Sequence, residues 1–239
     1  MVTGMHFPIL IIFRNRLSTG GKNMGQTDQC IRRILEKIMI YPWRFSLDTP
    51  HVQATVPMLR GVWGAALHDL GSAAYKDVFE GVGSPHERAP LYLMRPAAPD
   101  PSDAPALEWM VIGEGVYHLR ALFRAWEIAA ERGIGPYDAR YSFLFRKVQS
   151  IRPDGTLIRA SWCIPIGWPL ADAAQLDPPK RCRLTFPLPV RIMRRSTLVT
   201  KPHLADIVAA AVRRLFSYAD PMSCDEPSVL VERLPNRIT

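Results

Sequence analysis

Ile40-Tyr-Pro-Trp-Arg-Phe-Ser-Leu-Asp-Thr-Pro50 and, a short step on, Pro57-Met-Leu-Arg-Gly-Val-Trp-Gly-Ala-Ala-Leu-His-Asp-Leu-Gly71 decide how this 239-residue chain folds. The first run is mostly apolar and aromatic from Ile40 to Leu47, which suits a strand, and Asp48-Thr49-Pro50 turns it. Pro57 then stands where proline is tolerated, in the first turn of a helix. Leu59, Val62, Trp63, Ala66, Leu67 and Leu70 recur at helical spacing until Gly71 stops them. A strand followed by an amphipathic helix is a unit from which a mixed α and β domain is built.

Further along, a Pro- and Ala-rich segment over 84–106 is interrupted by strand-like Leu91–Met94. Leu107–Ile112 and Val116–Leu122 read as strands around Gly113-Glu-Gly115, and Phe123–Arg132 as a short helix closed by Gly133. Arg140–Ile151 alternates as a long strand, and Arg152-Pro-Asp-Gly155 is a strong turn that marks a domain border. Beyond it come Thr156–Ile164, a proline-rich connector to Pro179 and a strand over Arg183–Met193. A last helix over about 202–218 carries Leu204, Ile207, Val208, Ala211 and Leu215 as its apolar stripe. This order predicts an α+β fold with a ferredoxin-like (RRM-like) domain, in tandem with an abbreviated second domain. The expected borders are 1–38 for an N-terminal extension, loop-like over Ser18–Gln29, then 39–152 for the first domain and 153–239 for the second.

Charge is distributed unevenly. Between Lys180 and Arg214 lie nine basic residues (Lys180, Arg181, Arg183, Arg191, Arg194, Arg195, Lys201, Arg213 and Arg214) and a single acid, Asp206. That surplus equals the net charge of the whole chain, +8, so the rest is balanced. A concentrated field of this kind faces a polyanion or forms a solvated face. The sequence pI of about 9.6 favours a nucleic-acid binder over a small-molecule enzyme.

Hydrophobic residues at 48% suffice for a true core. Cys30, Cys163, Cys182 and Cys224 have no zinc-ligand spacing and read as free thiols of a reducing cytoplasm. Apolar Phe7–Phe13 is too short to span a bilayer and lacks the flanks of a signal peptide, so no membrane partner is expected. No H-E-x-x-H, P-loop, G-x-S-x-G or G-x-G-x-x-G motif occurs, and neither a metal nor another cofactor is expected.

The helix holds the most specific pattern. Arg60, Gly64 and His68 follow at i, i+4 and i+8 and share the face opposite the apolar stripe, the outer two about 12 Å apart along the axis. Glycine in mid-helix costs about 1 kcal/mol against alanine. At Gly64 it serves either the approach of an RNA backbone or close packing within the protein. Tyr75 and Lys76 follow nearby, His51 is a rival base, and His118 sits in a strand-like run as a structural residue.

Thr55-Val-Pro-Met-Leu-Arg-Gly-Val-Trp-Gly-Ala-Ala-Leu67 resembles the opening helix of the CRISPR-associated RAMP endoribonucleases, which cut precursor CRISPR RNA. Tyr75–Glu80, Arg88–Leu93, Gly133-Ile-Gly135, Leu184–Val190 and the last helix are similar to later blocks of that family, most of all its type IV branch. The resemblance covers roughly residues 40–218; the family's glycine-rich C-terminal loop has no counterpart, since no glycine follows Gly167.

The resemblance implies a metal-independent endonuclease in which the substrate's 2′-hydroxyl attacks the neighbouring phosphate, leaving a 2′,3′-cyclic phosphate and a 5′-hydroxyl. It implies Arg60 for charge stabilisation, His68 as acid and base, and Lys76 as a second cation. Arg181, Arg183, Arg191, Arg194, Arg195, Lys201, Arg213 and Arg214 would grip a CRISPR repeat hairpin (the crRNA stem), in the company of other effector-complex subunits. The alternative is a non-catalytic RAMP subunit that holds the RNA without cutting it.

Overall fold

Alternation places Trp43, Phe45 and Leu47 on one face of strand β1, Met39–Asp48, and all three are buried there. The computed structural model describes residues 26–49, 52–81, 89–98, 104–136, 138–160, 164–175, 192–194 and 197–218. They fall into two compact units, 39–168 and 1–38 with 169–239.

In the unit 39–168, β1 leads to helix α1, Val56–Asp69. Thr55 caps the helix: its backbone is extended and its Oγ1 accepts from the Met58 N–H at 3.4 Å. Gly71, at a φ of +59°, turns the chain away after the last turn. A single π-helical turn, Tyr75–Glu80, precedes the edge strand β2, Tyr92–Ala97. Strand β3, Ala106–Ile112, then runs into a 3-10 turn, Gly113–His118, and helix α2, Leu119–Arg132. Strands β4, Leu144–Ile151, and β5, Leu157–Arg159, follow.

All pairings along the sheet are antiparallel, in the order β2-β3-β1-β4-β5. The register sets Trp43 opposite Trp109 and Phe45 opposite Leu107. Both helices bury their stripes on this face: Leu59, Val62, Trp63, Ala66 and Leu67 from α1, and Leu122, Phe123, Ala125, Trp126 and Ala129 from α2. Four tryptophans form the centre, with Trp63 and Trp126 stacked at 5.5 Å and Trp43 and Trp109 5.2 Å apart. The Trp63 indole N–H donates to the Leu122 carbonyl at 3.1 Å, tying the two helices together. The chain is therefore α+β, with helices on one face of an antiparallel sheet.

Several expectations are corrected. Val116–Leu122 is not a strand: Gly113, at a φ of +53°, breaks β3, and α2 begins at Leu119, not at Phe123. Leu119, Leu122, Phe123 and Trp126 have the i, i+3, i+4, i+7 spacing of a helix face. The strand expected from Arg140 is regular only from Leu144, because Tyr141 makes an isolated bridge to Ile134. Of the expected strand Thr156–Ile164, Leu157–Arg159 is strand, Thr156, Ala160 and Ile164 are not, and 161–163 lie outside the described residues. The domain border at 152/153 is displaced to Trp168, since Arg152–Gly155 is a hairpin turn and β5 pairs with β4 across it.

The second unit joins the N-terminal segment to the C-terminal one. Its helix α3, Gln26–Lys37, replaces the last residues of the loop expected over Ser18–Gln29, and buries Ile34 and Leu35. The Leu170 N–H donates to the Ile38 carbonyl at 2.8 Å, at the head of a 3-10 turn, Leu170–Gln175. A two-residue ladder pairs Met193–Arg194 with Thr197–Leu198. Helix α4, Leu204–Phe216, buries Val208, Ala209, Val212 and Leu215, whereas Leu204, expected in the stripe, is exposed. The Arg183–Met193 strand lies outside the described residues except for its end, as do 161–163, 176–191, 195–196 and 219–239 of the second ferredoxin-like domain expected over 153–239.

Candidate functional site

The outward face of α1 carries Arg60 and His68, and between them runs a column of aromatic rings. Tyr92 of β2 stacks on Phe79 at 5.5 Å and 11°, and Phe79 stacks on Tyr75 at 5.3 Å and 16°. The His68 ring meets the edge of Tyr75 at 4.9 Å. The π-helical turn supplies the two middle rings, and its backbone is tied to the sheet. The Leu91 N–H donates to the Val78 carbonyl, and the Ile112 N–H donates to that of Leu91, each at 2.9 Å.

Arg60 lies at one end of this column. Its Nε donates to the Tyr92 hydroxyl at 2.6 Å, and its guanidinium lies 5.0 Å from the centre of the Phe79 ring. No carboxylate pairs with it among the described residues. A guanidinium fixed by one nitrogen and a ring face keeps its two terminal amino groups for an anion.

Gly64 answers the question the sequence left open. It is buried, and a Cβ there would stand 2.3 Å from Phe79 Cζ. The glycine admits a phenyl ring of the same unit, so an RNA backbone does not need that space. Gly61, one turn earlier, has nothing within 4 Å of the corresponding point.

His68 stands at the other end, its side chain 67% exposed. Its Nδ1 is 3.4 Å from Asp69 Oδ1, and Asp69 Oδ2 accepts from Arg132 Nη1 at 2.6 Å. The hydrogen bond from Arg132, followed by that from His68, holds the Asp69 carboxyl below its usual range. Lys76, in the π-helical turn, is exposed. The structure thus brings Arg60 and His68 onto one helix face, spaced by Tyr75, Phe79 and Tyr92.

Of the remaining candidates, His51, Arg181, Arg183, Arg191 and Arg195 lie outside the described residues, and Arg194 is placed only as a backbone in the short ladder. Lys201, Arg213 and Arg214 are exposed in the second unit. Arg214 Nε donates to the Tyr218 hydroxyl at 2.7 Å and its guanidinium covers that ring, as i and i+4 partners on a helix can.

Residue-by-residue reading passed over two partnerships. Phe79 lies four residues after Tyr75, a spacing that hinted at a shared face, but nothing local connected it to Gly64. His118, expected within a strand, ends the 3-10 turn, with Nε2 3.4 Å from Asp77 Oδ2.

Among the described residues no group of three His, Cys, Asp or Glu side chains could hold a metal ion, and no helix is long and apolar enough to cross a membrane. In comparison with known proteins, no family model, no curated protein and no solved structure matches this chain.

Proposed function

We propose that this chain is a metal-independent endoribonuclease of the RAMP type. It binds the repeat hairpin of precursor CRISPR RNA, cuts it by 2′-hydroxyl attack, and stays bound within a cytoplasmic effector ribonucleoprotein. The observation that carries this reading is the pose of Arg60, fixed by Tyr92 and Phe79 with its outer amino groups unpaired among the described residues. The connectivity supports it: strand, helix, two strands, helix, strand, with the first four strands in the order β2-β3-β1-β4 and all antiparallel, is the ferredoxin-like arrangement. The concentration of positive charge between Lys180 and Arg214 supports a polyanionic ligand.

In this mechanism the 2′-hydroxyl loses its proton as its oxygen bonds to phosphorus, and the 5′-oxygen leaves and gains a proton. Arg60 stabilises the extra negative charge on the phosphorane by directed N–H donors. His68 exchanges the proton, since an imidazole is the side chain suited to taking up and giving back a proton near neutral pH. Lys76 adds a second cation beside the column. The stem is A-form, so the basic stretch contacts shape and phosphate more than base edges.

The test incubates the purified full chain with a labelled repeat hairpin in EDTA. Cleavage at one position, with a 2′,3′-cyclic phosphate on the product, is the expected outcome. Tight hairpin binding without cleavage would identify a non-catalytic RNA-holding subunit instead. Equal binding of hairpin and unrelated RNA would reject both.

A further inference from the structure

A second feature shares none of its lining with the aromatic column. An open groove of about 430 Å³ runs between Leu70 and Ser72, just past the end of α1, and Tyr117, His118, Arg120 and Arg124 at the start of α2. Its volume is that of an ordinary small-ligand cleft. Its walls are unusual in composition.

Tyr117 is 84% exposed, the most exposed of the large hydrophobic side chains among the described residues. Tyr75 and Tyr92, by contrast, are stacked into the column and Tyr92 is buried. A phenol ring standing in water beside a groove is a free stacking surface. Next to it, Arg120 has no ion-pair partner among the described residues. Arg124 pairs with Glu127 at 2.7 Å, and His118 Nε2 lies 3.4 Å from Asp77 Oδ2; both of those carboxylates sit outside the lining. The lining therefore offers one flat aromatic face, two guanidinium groups and an imidazole, and no acid.

We propose that this groove holds one or two unpaired nucleotides of a single-stranded ribonucleic acid, with a base stacked on Tyr117 and the adjoining phosphates against Arg120 and Arg124. Base on aromatic ring with backbone on cations is the general chemistry of single-strand binding. A paired stem hides the faces of its bases and cannot use Tyr117 in this way. An acidic peptide would use the arginines and leave the ring idle. The choice of ribonucleic acid rests on the reading of the chain as an RNA-binding protein; the requirement for an unpaired base comes from the groove itself.

The experiment measures binding of the full chain by fluorescence anisotropy, using a labelled single-stranded oligoribonucleotide of about six nucleotides and, separately, the repeat hairpin without flanking residues. Tyr117→Ala should weaken the single strand about tenfold and leave the hairpin unchanged, while Tyr117→Trp retains the single strand. Arg120→Gln should lower the log–log salt slope for the single strand by about 0.7. An unchanged thermal midpoint in each variant shows that the fold is intact, as expected for exposed positions. The proposal is overturned if Tyr117→Ala binds the single strand as well as the parent does, or if an acidic peptide competes as strongly as RNA. Hairpin binding with no single-strand binding removes the groove alone; loss of both removes the reading of the chain as an RNA binder.

Discussion

Arg60 and His68 leave the same face of one helix two turns apart, yet the chain treats them in opposite ways. Arg60 is gripped by a hydroxyl and a ring. His68 touches one ring edge and the carboxylate of the next residue, and otherwise faces solvent. A fixed cation suits charge that must be met in one place. An exposed imidazole suits a proton that must come and go. The difference shows that a shared helix face does not make a shared environment; the element packed over that face decides it.

The sharpest way to break this comparison is Arg60→Ala. Cleavage of the hairpin should fall about a hundredfold to a thousandfold, as when one directed donor is removed from a developing anion, while hairpin affinity changes only a few-fold. Arg60→Lys should recover little, because an ammonium cannot reproduce the planar fork that lies on Phe79. His68→Ala comes next: cleavage should fall about a hundredfold with no change in thermal stability. Full activity in that variant would take His68 out of the mechanism and leave charge stabilisation by arginine as the whole of it.

A further pair of variants probes what separates the two ends. Gly64→Ala drives a methyl group into Phe79 and should cost about 1–3 kcal/mol of stability. Gly61→Ala, on the same helix with open space around it, should gain up to about 1 kcal/mol. Urea unfolding of both reads the contrast directly, and equal effects would mean that Phe79 does not rest on Gly64.

The smallest expected effect is at Asp69. Its depressed carboxyl contributes stability above the ordinary aspartate value near 3.8 and loses it as pH falls through its lower folded value. The difference in unfolding midpoint between the parent and Asp69→Asn should therefore be present at neutral pH and vanish in strong acid. A difference that persists there would assign the effect to packing.

Much of this was visible along the chain, and the failures share a cause. β1 was legible as a mostly apolar and aromatic run ended by Asp48-Thr49-Pro50, and α1 because its apolar residues keep one helical period until Gly71. The start of α2 was misread because Val116 and His118 alternate like a strand just before Leu119, Leu122 and Phe123 take up helical spacing. The border at residue 152 failed since a turn signal cannot tell a hairpin from a linker; only the pairing of Leu157–Arg159 with β4 does so. Arg60 and His68 could be picked out by spacing on one element. The surroundings of Arg60 could not, because Phe79 and Tyr92 reach it across 19 and 32 positions of sequence. The positive charge between Lys180 and Arg214 was plain in composition, yet composition alone places no side chain.

The anchoring of Val78 and Leu91 to the sheet has an effect on any guest. Because the turn that carries Phe79 is hydrogen-bonded through Leu91 to β3, the guanidinium is aimed before a ligand arrives. An arginine side chain in water has about 2 kcal/mol of rotamer freedom to lose. Here part of that freedom is surrendered during folding, so association need not supply it, and a phosphate arriving at Arg60 meets a receptor that is already set.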